Sequence, residues 1–268
     1  MRRTISALAT AIAVTVPVGL SAQSSWSDLT TLFSEWRDFE RSDFVDGVPD
    51  YTPPAMARQQ EELRTWKDRL WAFDIDGWPV EQQIDWHLVR AEMNGLDFDH
   101  KIRRPWARDP AFYVMMYTSE SDVPAHEGPV MHGWVDTWTY TYPLSSADAA
   151  ELAERFATIP SVLDQARANL AGSNARDLWH AGIRSFHGQA NDLRAYRAQV
   201  AGTSADLDRA LERAAQASDD FAAWVVAELP GKTGLSGVGR EAYTWYMHNV
   251  HLSPFSWEEQ VTLMRREL

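Results

Sequence analysis

Apolar side chains recur every three or four positions along most of this chain, the spacing that lines one face of a helix and not the alternation of a strand. Trp26, Leu29, Leu32, Phe33, Trp36 and Phe39 make the first such stripe, which predicts a helix from about Ser25 to Asp43. Gly47, Pro49, Pro53 and Pro54 then mark a loop, since glycine and proline free or fix φ where a helix cannot continue. Thr52 before Pro53 reads as an N-cap with proline at the first helical position, and Met56, Leu63, Trp66, Leu70 and Phe73 carry a second stripe that ends at Asp74 to Gly77. A third helix begins near Pro79, with Val80, Ile84, Leu88 and Ala91 on one side and Glu81, Asp85 and Glu92 turned to water or to a cleft. Short loops between the three predict an antiparallel bundle.

The periodicity fails between Asp99 and Pro143, where Pro105, Pro110, Pro124, Pro129 and Pro143 interrupt anything regular. That stretch is rich in large apolar groups, among them Trp106, Phe112, Tyr113, Met115, Met116, Tyr117, Trp134 and Trp138. It must pack onto the helices, because leaving it in water forgoes about 25 cal/mol for each Å². Helical spacing resumes at a capping box, Ser145 with Asp148, and Pro160 restarts the helix it interrupts. Asn174 and Ser204 are the expected caps of two more helices; Leu178, Ile183, Phe186, Ala190, Leu193 and Val200 form the core face of one, and Leu207, Leu211, Ala214, Phe221, Trp224 and Val225 that of the other. Ser256 and Glu259 cap a last helix whose stripe, Val261, Met264 and Leu268, is still running at the final residue. The expected architecture is all-α, a multi-helix bundle over residues 23–268 with one long irregular segment, and the running stripe predicts a chain cut short within a larger fold.

Composition narrows the setting. Met1-Arg2-Arg3, an apolar run from Ile5 to Leu20 and small residues at Ser21 and Ala22 read as a signal peptide over residues 1–22, which implies an exported protein, periplasmic or secreted. That run is too short to span a bilayer comfortably, and no later stretch is free of charge for long enough, so no membrane association beyond the leader is expected. With no cysteine, the sequence has neither a lipidated-cysteine anchor nor disulfides. Its net charge of −13, more negative still without Arg2 and Arg3, repels nucleic acid and anionic lipid.

Candidate chemistry is sparse. A zinc hydrolase helix places two histidines four apart with a glutamate between them, and His126-Glu127 fails that pattern because Val130 stands at the second position and Pro129 breaks the helix. His248 and His251 are three apart, which either lets them share a metal or leaves His251 at a helix end and His248 packed or solvated. His180 and His187, seven apart, are too distant for one ion. Gly231-Lys232-Thr233 lacks the first glycine and the preceding strand of a phosphate loop. What remains is a glycine-rich loop ahead of an aromatic helix containing Tyr243, Trp245 and Tyr246. Paired acids such as Asp74 with Asp76 are expected by chance among 38 carboxylates, and sugar stacking would have to use Trp106, Trp134 or Trp138. No Gly-x-Ser-x-Gly elbow is present.

Several strings carry a family likeness: Phe33-Ser34-Glu35-Trp36-Arg37-Asp38-Phe39-Glu40, Gly47-Val48-Pro49-Asp50-Tyr51, Trp78-Pro79-Val80 with Gln83, His87 through Phe98, Arg104-Pro105-Trp106-Ala107-Arg108-Asp109-Pro110, and Tyr243-Thr244-Trp245-Tyr246 running into Asn249-Val250-His251-Leu252. Together they resemble the bacterial domain-of-unknown-function family DUF885. The resemblance implies an all-helical, zincin-like protein about twice this length, with a His-Glu-x-x-His zinc motif in its carboxyl-terminal half. No zinc ligand or general base therefore transfers to this chain; zinc is expected only for the complete protein, with a peptide-like substrate. On that analogy the present portion is one wall of a deep cleft, lined by the loop from Gly231 to Gly239 with Gly237, Tyr243, Tyr246 and His248 as candidate lining residues. The competing reading is a non-catalytic periplasmic module that binds a ligand or partner.

Overall fold

Helix α1, Trp26–Phe39, opens on a capping box in which Ser25 Oγ accepts from the Asp28 N–H and the Asp28 carboxylate accepts from the Ser25 N–H at 2.7 Å. It stops at Phe39, short of the expected Asp43, because Phe44–Val45 (β1) and Val48–Pro49 (β2) form a two-residue antiparallel hairpin. Asp46 and Gly47 turn that hairpin, both at positive φ. Helix α2, Pro53–Trp71, follows; Thr52 caps nothing and instead donates its hydroxyl to Asp50 Oδ1 at 2.6 Å. Helix α3, Val80–Phe98, completes the first bundle. The chain is described here from a computed structural model that covers residues 25–120 and 131–268; the expected leader and the His126-Glu127 pair lie outside the described residues.

The three helices enclose a core of Leu29, Leu32 and Trp36 from α1, Leu63 and Leu70 from α2, and Trp86, Val89 and Met93 from α3. This corrects the expected orientation of α3. Of Val80, Ile84, Leu88 and Ala91 only Ala91 is buried, while the other three are 66%, 51% and 51% exposed. Helix α3 is apolar on two sides and its partners can cover only one along this length. The side with Trp86 wins because an indole buries a large area and its N–H finds the Leu70 carbonyl at 3.1 Å.

A second core is built from α5 (Ser146–Ala157), α6 (Ile159–Leu170), α7 (Arg176–Gln199) and α8 (Ala205–Glu228), centred on Leu152, Phe156, Leu163, Trp179, Phe186 and Phe221. The Ser145–Asp148 capping box starts α5, Pro160 lies in the first turn of α6, and Ser204 Oγ accepts the Leu207 N–H at the start of α8, all as the sequence predicts. Between the bundles runs the irregular segment: a π-turn at Asp99–Arg103, a single α-turn at Pro105–Arg108 (α4), a 3-10 turn at Pro110–Tyr113, and the short parallel pair Met116–Tyr117 (β3) and Val135–Asp136 (β4). Phe112, Tyr113, Met115 and Met116 are buried as anticipated, whereas Tyr117 and Trp138 stay exposed.

Side chains on the helices supply the hydrogen bonds this segment cannot make with itself. Gln189 of α7 is buried; its Oε1 accepts from the Met115 and Met116 N–H groups at 2.6 and 3.3 Å, and its Nε2 donates to Ser218 Oγ of α8 at 2.9 Å. Tyr51 ties the chain just before α2 to α6 and to the irregular segment. Its N–H donates to Gln165 Oε1 at 2.8 Å, its carbonyl accepts from Asn169 Nδ2 at 2.9 Å, and its hydroxyl accepts from the His132 N–H at 2.8 Å. The Ser42 N–H donates to His132 Nδ1 at 3.0 Å, which requires that nitrogen to be unprotonated. Burial lowers the His132 pKa to about 4, with Arg41 and Arg37 adding to the effect, and burial lowers that of His100 to about 4 as well. No described helix is long and apolar enough to cross a membrane.

Two outcomes are expected. Replacing Gln189 by Leu strands two buried N–H groups and should cost about 1–3 kcal/mol, read as a lower urea midpoint at unchanged slope. For His132 and His100 the folded pKa lies below the unfolded value of 6.5, so their contribution is fully present above pH 6.5 and is lost as pH falls toward 4. Thermal unfolding across that window should show the decline, and His132→Gln should flatten it.

Candidate functional site

After α8 and a 3-10 turn at Leu229–Gly231, the glycine-rich loop is fastened to the start of α7. Thr233 and Gly234 donate their N–H groups to Asn174 Oδ1 at 2.7 and 3.2 Å, Gly234 N–H also reaches the Asn174 carbonyl at 2.8 Å, and the Arg176 N–H donates to the Gly234 carbonyl at 3.2 Å. Only glycine fits there, since a Cβ on Gly234 would sit 2.7 Å from the Asn174 carbonyl oxygen. Asn174 is thus occupied with the loop and does not cap α7. The cap comes from 59 positions away, where Ser236 Oγ accepts the Asp177 and Leu178 N–H groups at 2.8 and 3.2 Å. Arg108 clamps the same loop by donating to the Leu235 and Ser236 carbonyls at 3.3 and 3.1 Å. Lys232, singled out for its phosphate-loop look, is buried with its ammonium 4.0 Å over the Trp179 ring.

Held this way, the loop turns at Gly239 (φ +87°) into α9, Arg240–Asn249. Helix α9 runs antiparallel along the end of α3: Trp245 stacks on Phe98 at 5.8 Å, Tyr246 meets Phe98 at 4.8 Å, and the Asn249 carbonyl accepts from Asn94 Nδ2 at 3.2 Å. The last helix, α10 (Trp257–Glu267), opens on the expected Ser256–Glu259 box and folds back over α9. Thr244 Oγ1 accepts the Trp257 N–H at 3.1 Å, Tyr243 donates to Gln260 Oε1 at 2.7 Å, and the Arg240 guanidinium lies 4.2 Å over the Trp257 ring. Neither α9 nor α10 buries a residue. Between them opens a groove of about 410 Å³ lined by Arg240, Glu241, Thr244, Trp245, His248, Asn249 and Glu258.

The four residues expected to line a cleft are dispersed. His248 lies in the groove. Tyr243 spends its hydroxyl fastening α10, and Tyr246 faces inward, against Phe98, beneath the Arg103 guanidinium and beside His251 at 5.0 Å. Gly237 sits on the open side of the loop, where an added Cβ would meet nothing within 4 Å. His251 lies beyond the end of α9 against Tyr246, so the two imidazoles go separate ways. Glu241 and Trp245 are four apart, and His248 is three further on, a helical face legible in the sequence; Arg240 and Glu258 come together only by tertiary folding.

Chemically the groove offers an imidazole, two carboxylates, a guanidinium and an amide over an indole floor, a set suited to holding a polar, chain-like ligand. A second concavity of about 820 Å³ runs along α7 past Asp177, His180, Arg184, His187 and Asn191. Among the described residues no group of three or more His, Cys, Asp and Glu side chains could hold a metal ion.

An all-α bundle with an open polar groove on its last two helices is a class with many possible tasks. Residues 38–268 match the family described as bacterial protein of unknown function (DUF885), and the chain belongs to that family. No curated protein matches the sequence. A solved structure described as "a putative lipoprotein of unknown function" from Shewanella oneidensis superposes with a TM-score of 0.61 at 13% identity, covering 91% of this chain and 46% of that one. The likeness is one of fold, and the chain spans about half the length of that neighbour.

Because the loop is docked by Ser236, replacing that residue with Ala should uncap α7 and cost about 1 kcal/mol. Faster hydrogen exchange in the first turn of α7, together with a lower unfolding midpoint, is the measurement that checks it.

Proposed function

We propose that this chain forms one wall of the substrate cleft of a larger exported hydrolase, with the groove between α9 and α10 facing a peptide-like substrate. The observation that carries this reading is the open groove itself: two helices that bury no residue present His248, Trp245, Arg240 and two carboxylates to a space large enough for a few residues of extended chain. Coverage of only 46% of the solved neighbour supports a larger whole, and the family resemblance implies that the catalytic zinc belongs to the part of it beyond these residues. Export is supported by the Arg2-Arg3 and apolar opening of the sequence and by the neighbour's description as a lipoprotein. A ligand-binding module without catalysis is the second reading, favoured by a groove whose polar groups are already assembled.

The test is to produce the complete protein and follow unstructured peptides by mass spectrometry, with and without a zinc chelator. Chelator-sensitive cleavage is expected, and His248→Ala should raise KM roughly tenfold with kcat little changed, the loss of one binding contact. Peptide binding without cleavage at saturating zinc would select the binding module instead.

A further inference from the structure

The stripe that α3 leaves bare is continuous with one that α9 covers. Val80, Ile84, Leu88, Ala91, Gly95 and Phe98 succeed one another at steps of four or three and share one face of the helix. Helix α9 takes the final half: Trp245 and Tyr246 pack on Phe98, and a Cβ placed on Gly95 would stand 3.5 Å from Val250 Cγ1. Running antiparallel to α3, α9 points at Leu88 when it ends. The chain then turns off at Leu252, in a left-handed conformation at φ +52°, and α10 returns along α9. Val80, Ile84 and Leu88 are left with at least half of their surface in water. Three large apolar groups in line along two turns are a docking face, not scattered surface hydrophobes. One edge of the face is acidic, with Glu81 exposed and Asp85 accepting from Trp26 Nε1 at 2.7 Å.

We propose that Val80, Ile84 and Leu88 seat an amphipathic helix of the same polypeptide, one that follows α10 and lies end to end with α9 along α3. The proposal rests on the reading that the complete protein is longer than this portion, which the 46% coverage of the neighbour supports. Continuity with the α3–α9 interface says what kind of element fits: a helix with apolar residues three and four apart, and lysine or arginine on the edge toward Glu81. A second copy of this chain suits the face poorly, because each copy carries a net charge of −13 and would bring like charges to an acidic edge.

The absence of cysteine gives a clean probe, since Ile84→Cys introduces a single thiol at an exposed position. Maleimide labelling is compared for the 268-residue chain and the complete protein, with any further cysteine of the latter replaced by serine, each referred to its own urea-unfolded rate. The shorter chain should react close to the unfolded rate at every concentration, and the longer one roughly tenfold slower or more, because a seated helix must open first. In parallel, Leu88→Glu should lower the melting temperature of the longer polypeptide and leave that of the shorter one unchanged. Equal labelling of the two, protection of the shorter chain that grows with its concentration, or a gene that stops after Leu268 would each overturn the proposal. A longer polypeptide that protects Ile84→Cys and yet cleaves no peptide would refute the hydrolase reading and leave this one standing.

Discussion

Backbone buried outside a helix or sheet has polar groups that must find partners in side chains, and this fold is organised around that requirement. The described residues between Asp99 and Tyr140 follow the first bundle with two residue pairs of strand among them to satisfy their backbone. Gln189 takes two of its N–H groups at once, and Arg155 donates to the Trp134 carbonyl from α5. Tyr51 binds the His132 N–H, and Asn169 bonds both the Tyr51 carbonyl and the Tyr113 hydroxyl. Gln189, Arg155 and Asn169 sit on helices that would be helices in any case, and Tyr51 lies just before α2. Their polar ends fix the described parts of a proline-broken stretch against the α5–α8 core. His132 belongs to this network as a neutral acceptor, which is why its low pKa and its structural task are one fact.

The same logic places the groove. Helix α9 has no buried residue of its own, and its position is set by the loop before it, pinned by Asn174, Ser236 and Arg108, together with its contacts to Phe98 and Asn94 of α3. Gly234 permits the close approach, and Ser236 repays it by capping α7. The loop is thereby tied to two elements at once, the start of α7 and the turn bearing Arg108, so disturbing it loosens both the helix start and the groove. His248 and Trp245 owe their place to this docking more than to any contact they make with each other.

Apolar surface is distributed unevenly between the two halves. The α5–α8 core is closed, with Trp179, Phe186, Phe156 and Phe221 fully buried. The first bundle, by contrast, exposes part of α3, and α10 adds Met264 and Leu268. Exposed apolar groups also occur elsewhere, at Val45, Trp71 and Leu235, so the α3 row is set apart by three such groups standing in line and not by exposure alone.

Much was legible from periodicity: among the described residues most helices run where apolar residues recur at three and four, and the boxes at Ser25, Ser145 and Ser256 mark starts by local hydrogen bonding that needs no tertiary partner. The burial of Phe112, Tyr113 and Met115 followed from their size. Three things were not legible, and each depends on groups far apart in sequence. Which of two apolar faces α3 buries turned on Trp86 finding the Leu70 carbonyl. Asn174 met the loop at Gly234 and so gave up its cap to Ser236, 59 positions from the N–H it accepts. Tyr243 and Tyr246, aromatic neighbours on one helix, were drawn to opposite partners, Gln260 and Phe98, which left His248 as the member of that expected set in the groove. Helices and their capping boxes follow from neighbours within four residues; a cap supplied from afar, and which face is covered and by what, are a competition among surfaces that exist only after the chain has folded.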